Sequence, residues 1–334
     1  MLWFEKLMGF SEESPEQVRK NIALEGEWMK SLVNHQSYQW GQLEIPTLAE
    51  LRTQAEAFST STAESSFKVS EVIGDVQLFH LIADNQGAIF QAASQFNLLE
   101  MVGPSVTPEA GVGQYEYDKT QGPACAIACG AGTIYRNYFV QLGDSIGQTA
   151  DQQVDCLDQL AAYFDNEQYG HWTMRNGYAF VSEEGLKFIS QRIRGLTSQE
   201  YEQLKGLLRV GIQGNTEVTI SPLQHLVHQV YCSGLPVNYS PVESALWEDF
   251  ARLVLEATYE ATFQAARINF RKTGNNKVYL TLVGGGVFGN KSEWIIDSIL
   301  VNLRKFTHLP LDVKFISYGQ SNAMVRSIIE RFQQ

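Results

Sequence analysis

The sequence predicts an α/β fold whose sheet is covered by helices on both faces. Strand-like apolar runs at 67–73, 88–94, 226–232, 277–283 and 313–317 alternate with helical patterns, the grammar of such a sheet. The run Lys277-Val278-Tyr279-Leu280-Thr281-Leu282-Val283 leads straight into Gly284-Gly285-Gly286-Val287-Phe288-Gly289-Asn290, and a helical pattern follows from about Ser292 to Phe306. The chain has 334 residues, 44% of them hydrophobic, which is enough to bury a large core.

Residues 1–66 read as a helical extension separate in character. Ser14-Pro15-Glu16-Gln17 is a capping box with proline at the first helical position, and Thr47-Leu48-Ala49-Glu50 is a second, opening a helix to about Phe58. Ser59–Ser66 reads as a linker. From Phe67 the pattern alternates as a strand to Ile73, and Gly74-Asp75 ends it. Ala88-Ile89-Phe90-Gln91-Ala92-Ala93-Ser94 reads as a buried central strand whose small terminal residues leave room for a ligand. Residues 101–122 form a long polar loop, of the kind that is usually functional. It ends at Thr120-Gln121-Gly122-Pro123, before a helical run from Ala124 to Leu142. A mainly helical stretch follows, with a capping box at Thr197-Ser198-Gln199-Glu200 and a hairpin expected around 211–220. Leu226–Cys232 reads as a second buried strand. Ser240-Pro241-Val242-Glu243 reads as a capping box that opens a long amphipathic helix to about Ile268. There is no internal repeat.

Charge and cysteine content narrow the function. A net charge of −12 disfavours non-specific nucleic-acid or anionic-membrane binding, which needs basic surface. No apolar run approaches the ~20 residues of a membrane span, and the first residues lack the pattern of a signal peptide. Four cysteines in so long a chain suggest a reducing cytosol. Cys125 and Cys129 share a helix face but have no third ligand nearby, so they read as small packing residues, and no metal site is expected. His80, His171, His225 and His228 are scattered and read as core or surface residues. No Ser/His/Asp arrangement is present.

The glycine loop is the strongest chemical feature. Glycines allow positive φ and close backbone approach, and the free N–H groups of a helix start face an anion. Gly284, Gly286 and Gly289 match G-x-G-x-x-G, but a dinucleotide fold needs more chain than remains after the loop. Asn290 stands where a Walker A loop requires lysine, and Lys291 comes one residue late. A plain strand-to-helix turn is the structural alternative.

Taken in order, these pieces resemble a macrodomain, the ADP-ribose-binding fold. Val72-Ile73-Gly74-Asp75-Val76 is similar to the family's early strand ending in Gly-Asp-Ile. Ala88–Ser94 is similar to its central strand, typically Ala-Ile-Val-Asn-Ala-Ala-Asn. Gly284–Gly289 is similar to the Gly-Cys-Gly-Ala-Phe-Gly loop of poly(ADP-ribose) glycohydrolases, and Val313–Tyr318 to the last strand. The resemblance implies a three-layer α/β/α macrodomain-like mixed sheet over 67–334, with the helical extension before it and a mainly helical insertion at about 165–225. The departures are Gln91 and Ser94 in place of asparagine, and Thr120–Pro123 where the family has a triple glycine. The adjacent Gln-Glu-Glu of the glycohydrolases is absent, and the nearest acids read as Glu109, Glu116 and Asp118.

What the resemblance implies for ligands is ADP-ribose or a related ADP-ribosyl nucleotide, with no cofactor. The amides of Gly284, Gly285, Gly286, Val287, Phe288, Gly289 and Asn290, with those of Gln121 and Gly122, would clamp the diphosphate. Asp75 and Tyr318 would meet adenine, and Gln91, Ser94 and Phe288 the terminal ribose. Asp75 also reads as a turn residue and Gln91 as a buried structural amide. Cleavage of a glycosidic bond wants a carboxyl group to protonate the leaving group or steer water, and Asp118 and Glu116 are the candidates. The alternatives are a reader or sequestering module without chemistry, and an interaction protein working through its N-terminal helices.

Overall fold

The computed structural model describes residues 1–57 and 66–334. The N-terminal segment contributes α1 (Trp3–Met8), α2 (Pro15–Asn21), β1 (Ile22–Glu25), β2 (Trp28–Ser31), β3 (Ser37–Gln39), β4 (Gln42–Glu44) and α3 (Leu48–Glu56). Next come β5 (Lys68–Ile73), α4 (Val76–His80), β6 (Ile89–Ala93), α5 (Gln121–Ala128), α6 (Gly130–Tyr138), β7 (Gln141–Leu142) and β8 (Ser145–Ile146). The following stretch holds α7 (Asp158–Tyr163), α8 (Asn166–Tyr169), β9 (Trp172–Arg175), β10 (Tyr178–Val181), α9 (Glu183–Arg194) and α10 (Ser198–Lys205). The chain closes with β11 (Gly211–Glu217), β12 (Leu226–Cys232), α11 (Glu248–Thr273), β13 (Lys277–Leu280), α12 (Ser292–Lys305), β14 (Asp312–Ser317) and α13 (Ala323–Gln333).

Seven strands form the main sheet in the order β4-β11-β12-β6-β13-β14-β5. The strands from β12 to β5 pair in parallel, whereas β11 runs against both β12 and β4. This is the mixed α/β sheet expected from the sequence, with β6 at its centre. Helix α5 packs on one face of β6 and α11 on the other. The reason lies in the residues. Ile89 and Phe90 in β6, Val278–Leu280 in β13 and Val230–Cys232 in β12 are runs of buried apolar residues, as strands covered on both faces require. The side of α11 toward the sheet carries the small residues Thr258, which donates to the Ser233 carbonyl, and Thr262, which accepts from Gln91, so a long helix can lie close to it.

Several elements differ from the sequence reading. The N-terminal segment is not all helix. The chain leaves α2 at Asn21 and forms the three-stranded sheet β1-β2-β3, while β4 joins the edge of the main sheet. Gly26, at φ 58°, makes the tight turn between β1 and β2. The expected linker at 59–66 lies, but for Ser66, outside the described residues. The expected hairpin at 211–220 is the single strand β11. A hairpin outside the expected region is β9–β10, turned by Asn176 (φ 47°) and Gly177 (φ 77°), a pair that favours such turns. The helical run from Ala124 to Leu142 breaks at Cys129 into α5 and α6. The capping box at 240–243 does not form. Ser240 accepts from the Val242 N–H instead, and a 3₁₀ turn at Ser244–Trp247 leads into α11.

Candidate functional site

Because β12, β6, β13, β14 and β5 share one direction, their C-terminal ends line one rim of the sheet. Ligands of open α/β sheets bind outside this rim. A cavity of about 300 Å³ opens there, at the small end of the range for small-molecule sites. Ala93 and Ser94 from the end of β6, Gly234 beyond β12, and Thr281 and Leu282 beyond β13 form its base. Gly284–Phe288 line it, and so do Asp118, Thr120, Gln121 and Gly122.

The glycine wall is a built backbone loop. Gly284, Gly286 and Gly289 all have positive φ, at 75°, 58° and 72°. Asn290 staples the loop shut: its amide N–H and its side-chain Nδ2 both donate to the Gly284 carbonyl, at 3.0 and 2.9 Å, and Nδ2 also donates to the Leu235 carbonyl. Gly286–Phe288 form a 3₁₀ turn, and the N–H groups of Gly286 and Val287, at its start, have no acceptor among the described residues. Phe288 is buried against Tyr178 and Tyr239, with ring centroids 5.4 and 5.8 Å away, and this packing sets the height of the loop. Val287 is exposed at the rim.

At the same cavity, α5 begins without a side-chain cap. Gly122 lets this helix start approach the sheet: a Cβ there would lie 2.4 Å from the Ala93 carbonyl oxygen. Gln121 is fixed by the Val76 N–H, which donates to its side-chain oxygen at 2.7 Å. Among the described residues no lysine or arginine lines the cavity, so a bound anion would meet backbone N–H groups.

The structure brings together most of the residues singled out from the sequence. Ser94, Gln121, Gly122, Gly284–Phe288 and Asp118 all line the cavity. Gln91 lies one step deeper, on a small adjoining cavity with Val76, Gln121, Thr281 and Ile316. Its amide is used by the fold, donating to Thr262 Oγ1 at 2.9 Å and accepting from the Thr281 N–H. Asp75 caps α4 by accepting from the Gln77 N–H at 2.9 Å. Asp75 and the exposed Tyr318 stand at the ends of the neighbouring strands β5 and β14, beyond the small cavity. Gly289 and Asn290 support the loop from behind. Glu116 does not line the cavity: its carboxylate accepts from the Trp3 N–H at 2.8 Å and lies 3.9 Å from Lys6 Nζ. Glu109 accepts from the Ala150 N–H.

Sequence reasoning missed Glu100, Tyr178 and Tyr239, all in the cavity wall. Glu100 is 6% exposed, and its Oε1 has no hydrogen-bond partner among the described residues. Burial raises its carboxyl well above the ordinary range. The nearby Asp118 charge adds to this, and the Arg136 guanidinium opposes it. The available signal was a lone acid in the apolar run Phe96-Asn97-Leu98-Leu99-Glu100-Met101-Val102. Tyr178 was hidden because it arrives on the unforeseen hairpin β9–β10.

The four cysteines are buried and unpaired, and Cys125 and Cys129 pack in the core. No cluster of three or more potential metal ligands occurs among the described residues, and no helix among them is long and apolar enough to cross a membrane.

No protein-family model matches the chain, and no curated protein matches it. Among solved structures, it is similar to the poly(ADP-ribose) glycohydrolase of Thermomonospora curvata, at TM-score 0.47 and 11% identity over 95% of both chains. The same enzyme bound to the inhibitor ADP-HPD matches at TM-score 0.44 and 11% identity, over 95% of this chain and 96% of that one. The Deinococcus radiodurans enzyme in complex with ADP-ribose matches at TM-score 0.42 and 8% identity, over 87% of this chain and 94% of that one.

Proposed function

We propose that this cavity binds ADP-ribose or a closely related ADP-ribosyl nucleotide and hydrolyses an ADP-ribosyl glycosidic bond. The observation that carries the reading is a pair of backbone N–H cradles lining one cavity. The free amides of Gly286 and Val287 form one, and the uncapped start of α5 forms the other. Such N–H groups suit a diphosphate without any basic side chain. In this reading adenine extends past the small cavity toward Asp75 and Tyr318. The terminal ribose points at Ser94, Phe288 and Asp118.

Asp118 supplies the carboxylate that steers the attacking water. Its Oδ1 accepts from the Thr120 N–H at 2.8 Å, which anchors the side chain beside the start of α5. The test is steady-state hydrolysis of an ADP-ribosylated peptide alongside ADP-ribose affinity. Asp118→Asn is expected to lower turnover by at least about tenfold, within the 10²–10⁴-fold worth of a general acid–base group, with affinity little changed. Tight ADP-ribose binding without any wild-type turnover would make the protein a reader rather than a hydrolase.

A further inference from the structure

We propose that Glu100 is the proton donor of this hydrolysis, its carboxyl group held against the start of α5 by a rigid backbone cage. The assignment rests on the hydrolase reading above and adds a residue to it.

Three observations point to Glu100. The first is its isolation. A buried carboxyl group serving the fold is normally paired, because leaving it unpaired is costly. Glu100 lines the cavity with Oε1 unpartnered. The cation that acts on it, Arg136, spends its hydrogen bonds elsewhere: it donates to the Leu98 carbonyl and to the side chains of Gln213 and Thr133, with its guanidinium 3.6 Å over the Tyr231 ring.

The second is the cage. The side chain of Gln95 accepts from the Met101 N–H at 3.0 Å and donates to the Met101 carbonyl at 3.2 Å. The Glu100 N–H donates to the Tyr115 hydroxyl at 2.9 Å, and the Leu99 N–H to Asn97. Leu98 is held at φ 65°, a strained value for a leucine. A turn this constrained around one free acid is a device for aiming the acid.

The third is the space cleared for it. A Cβ on Gly122 would stand 2.8 Å from both carboxyl oxygens of Glu100. The absence of a side chain at that position lets the carboxyl group sit beside the cradle and beside Asp118. Burial and the Asp118 charge favour its protonated form, so the two acids divide the work as a proton donor and a carboxylate.

The step balances as follows. Glu100 gives its proton to the glycosidic oxygen. The bond from that oxygen to the anomeric carbon breaks, and the oxygen leaves with the electron pair as an alcohol. Water forms the new carbon–oxygen bond and loses a proton to the Asp118 carboxylate. Glu100 regains a proton from solvent and Asp118 releases one.

A leaving group that needs no proton exposes this role. Two substrates are compared, ADP-ribose linked through oxygen to a serine peptide and ADP-ribose linked to 4-nitrophenol. Glu100→Gln, which mimics the neutral acid in shape, is expected to slow the peptide substrate by about 10²–10⁴-fold and the nitrophenyl substrate by less than about threefold. ADP-ribose affinity and thermal midpoint should stay at or above wild type. Glu100→Asp keeps the acid but withdraws it by one methylene, and should lose part of its activity on the peptide substrate while keeping that on the nitrophenyl substrate. It carries the test if the glutamine variant fails to fold. Equal losses on both substrates, or full activity of E100Q on the peptide, overturn the assignment while the hydrolase reading stands. No wild-type turnover of either substrate overturns that reading, and the assignment with it.

Discussion

Gly286 and Gly289 both have positive φ, yet a side chain would do different harm at each. Around Gly286 nothing lies within 4 Å of a Cβ, whereas at Gly289 a Cβ would fall 2.1 Å from Asn238. A β-branched residue at either position carries backbone strain of roughly 1–3 kcal/mol, but only at Gly289 does it also collide with the protein. Gly286→Val is therefore the sharper probe. It should abolish ADP-ribose binding while the thermal midpoint falls by no more than a few degrees; Gly289→Val should lose fold stability as well. Paired melting curves and binding isotherms check this. The glycine loop was legible in the sequence because glycine is the one residue whose backbone freedom is written in its identity. Glu100 was not, because its meaning depends on being buried and unpaired, which only the folded surroundings determine. Asn290 is expected among the ligand contacts by position; its Nδ2 closes the loop, while its Oδ1 is buried without a hydrogen-bond partner among the described residues, which only the folded surroundings reveal.

At the scale of elements, the N-terminal segment holds the loop that carries Asp118. The Glu12 carboxylate accepts from the Val112 N–H at 2.9 Å, the Gly113 N–H at 2.6 Å and the Tyr138 hydroxyl at 2.6 Å. A Cβ on Gly111 would lie 2.4 Å from that carboxylate, so these glycines make room for an internal anion. Trp3 adds a bond from its indole N–H to the Val112 carbonyl at 3.0 Å. Glu12→Ala should raise hydrogen exchange at Val112 and Gly113 and destabilise the protein by at least about 2 kcal/mol, as expected when hydrogen bonds to a charged group are lost. Turnover should fall further than ADP-ribose affinity, since the anion cradles are untouched; unchanged exchange at both amides would contradict the account. The parallel strands and the long helices were legible because their apolar periods are long and local. The short strands β1 to β4 were not, since each has only three or four residues and takes its identity from its pairing partner. The hairpin β9–β10 was marked by Asn176-Gly177 and could have been read.

For the whole molecule, two consequences follow from burial and charge. His80 lies in the core, with Nδ1 2.8 Å from the Val76 carbonyl and its ring stacked on Phe90. Burial depresses its imidazole from 6.5 to about 4; the Val76 carbonyl opposes the shift and nearby His225 adds to it. A depressed value means that the neutral ring belongs to the fold. The stability it contributes is complete above about pH 6.5 and is lost as pH falls through about 4, on the order of 3 kcal/mol. Urea midpoints measured across that window should fall toward acid, and His80→Gln should flatten the slope. The net charge of −12 bears on ligand capture. A chain this acidic repels an approaching diphosphate, so the association rate for ADP-ribose should rise with salt, opposite to a site built from lysines. The central claim is that two backbone cradles hold a diphosphate, and calorimetric titration of the wild type and Gly286→Val with ADP-ribose, AMP and NAD tests it most directly. The account predicts saturable one-to-one binding of ADP-ribose, weaker binding of AMP, and loss of ADP-ribose binding in a folded Gly286→Val. A folded wild type that takes up no ADP-ribose, or a Gly286→Val variant that binds it as tightly, would contradict it.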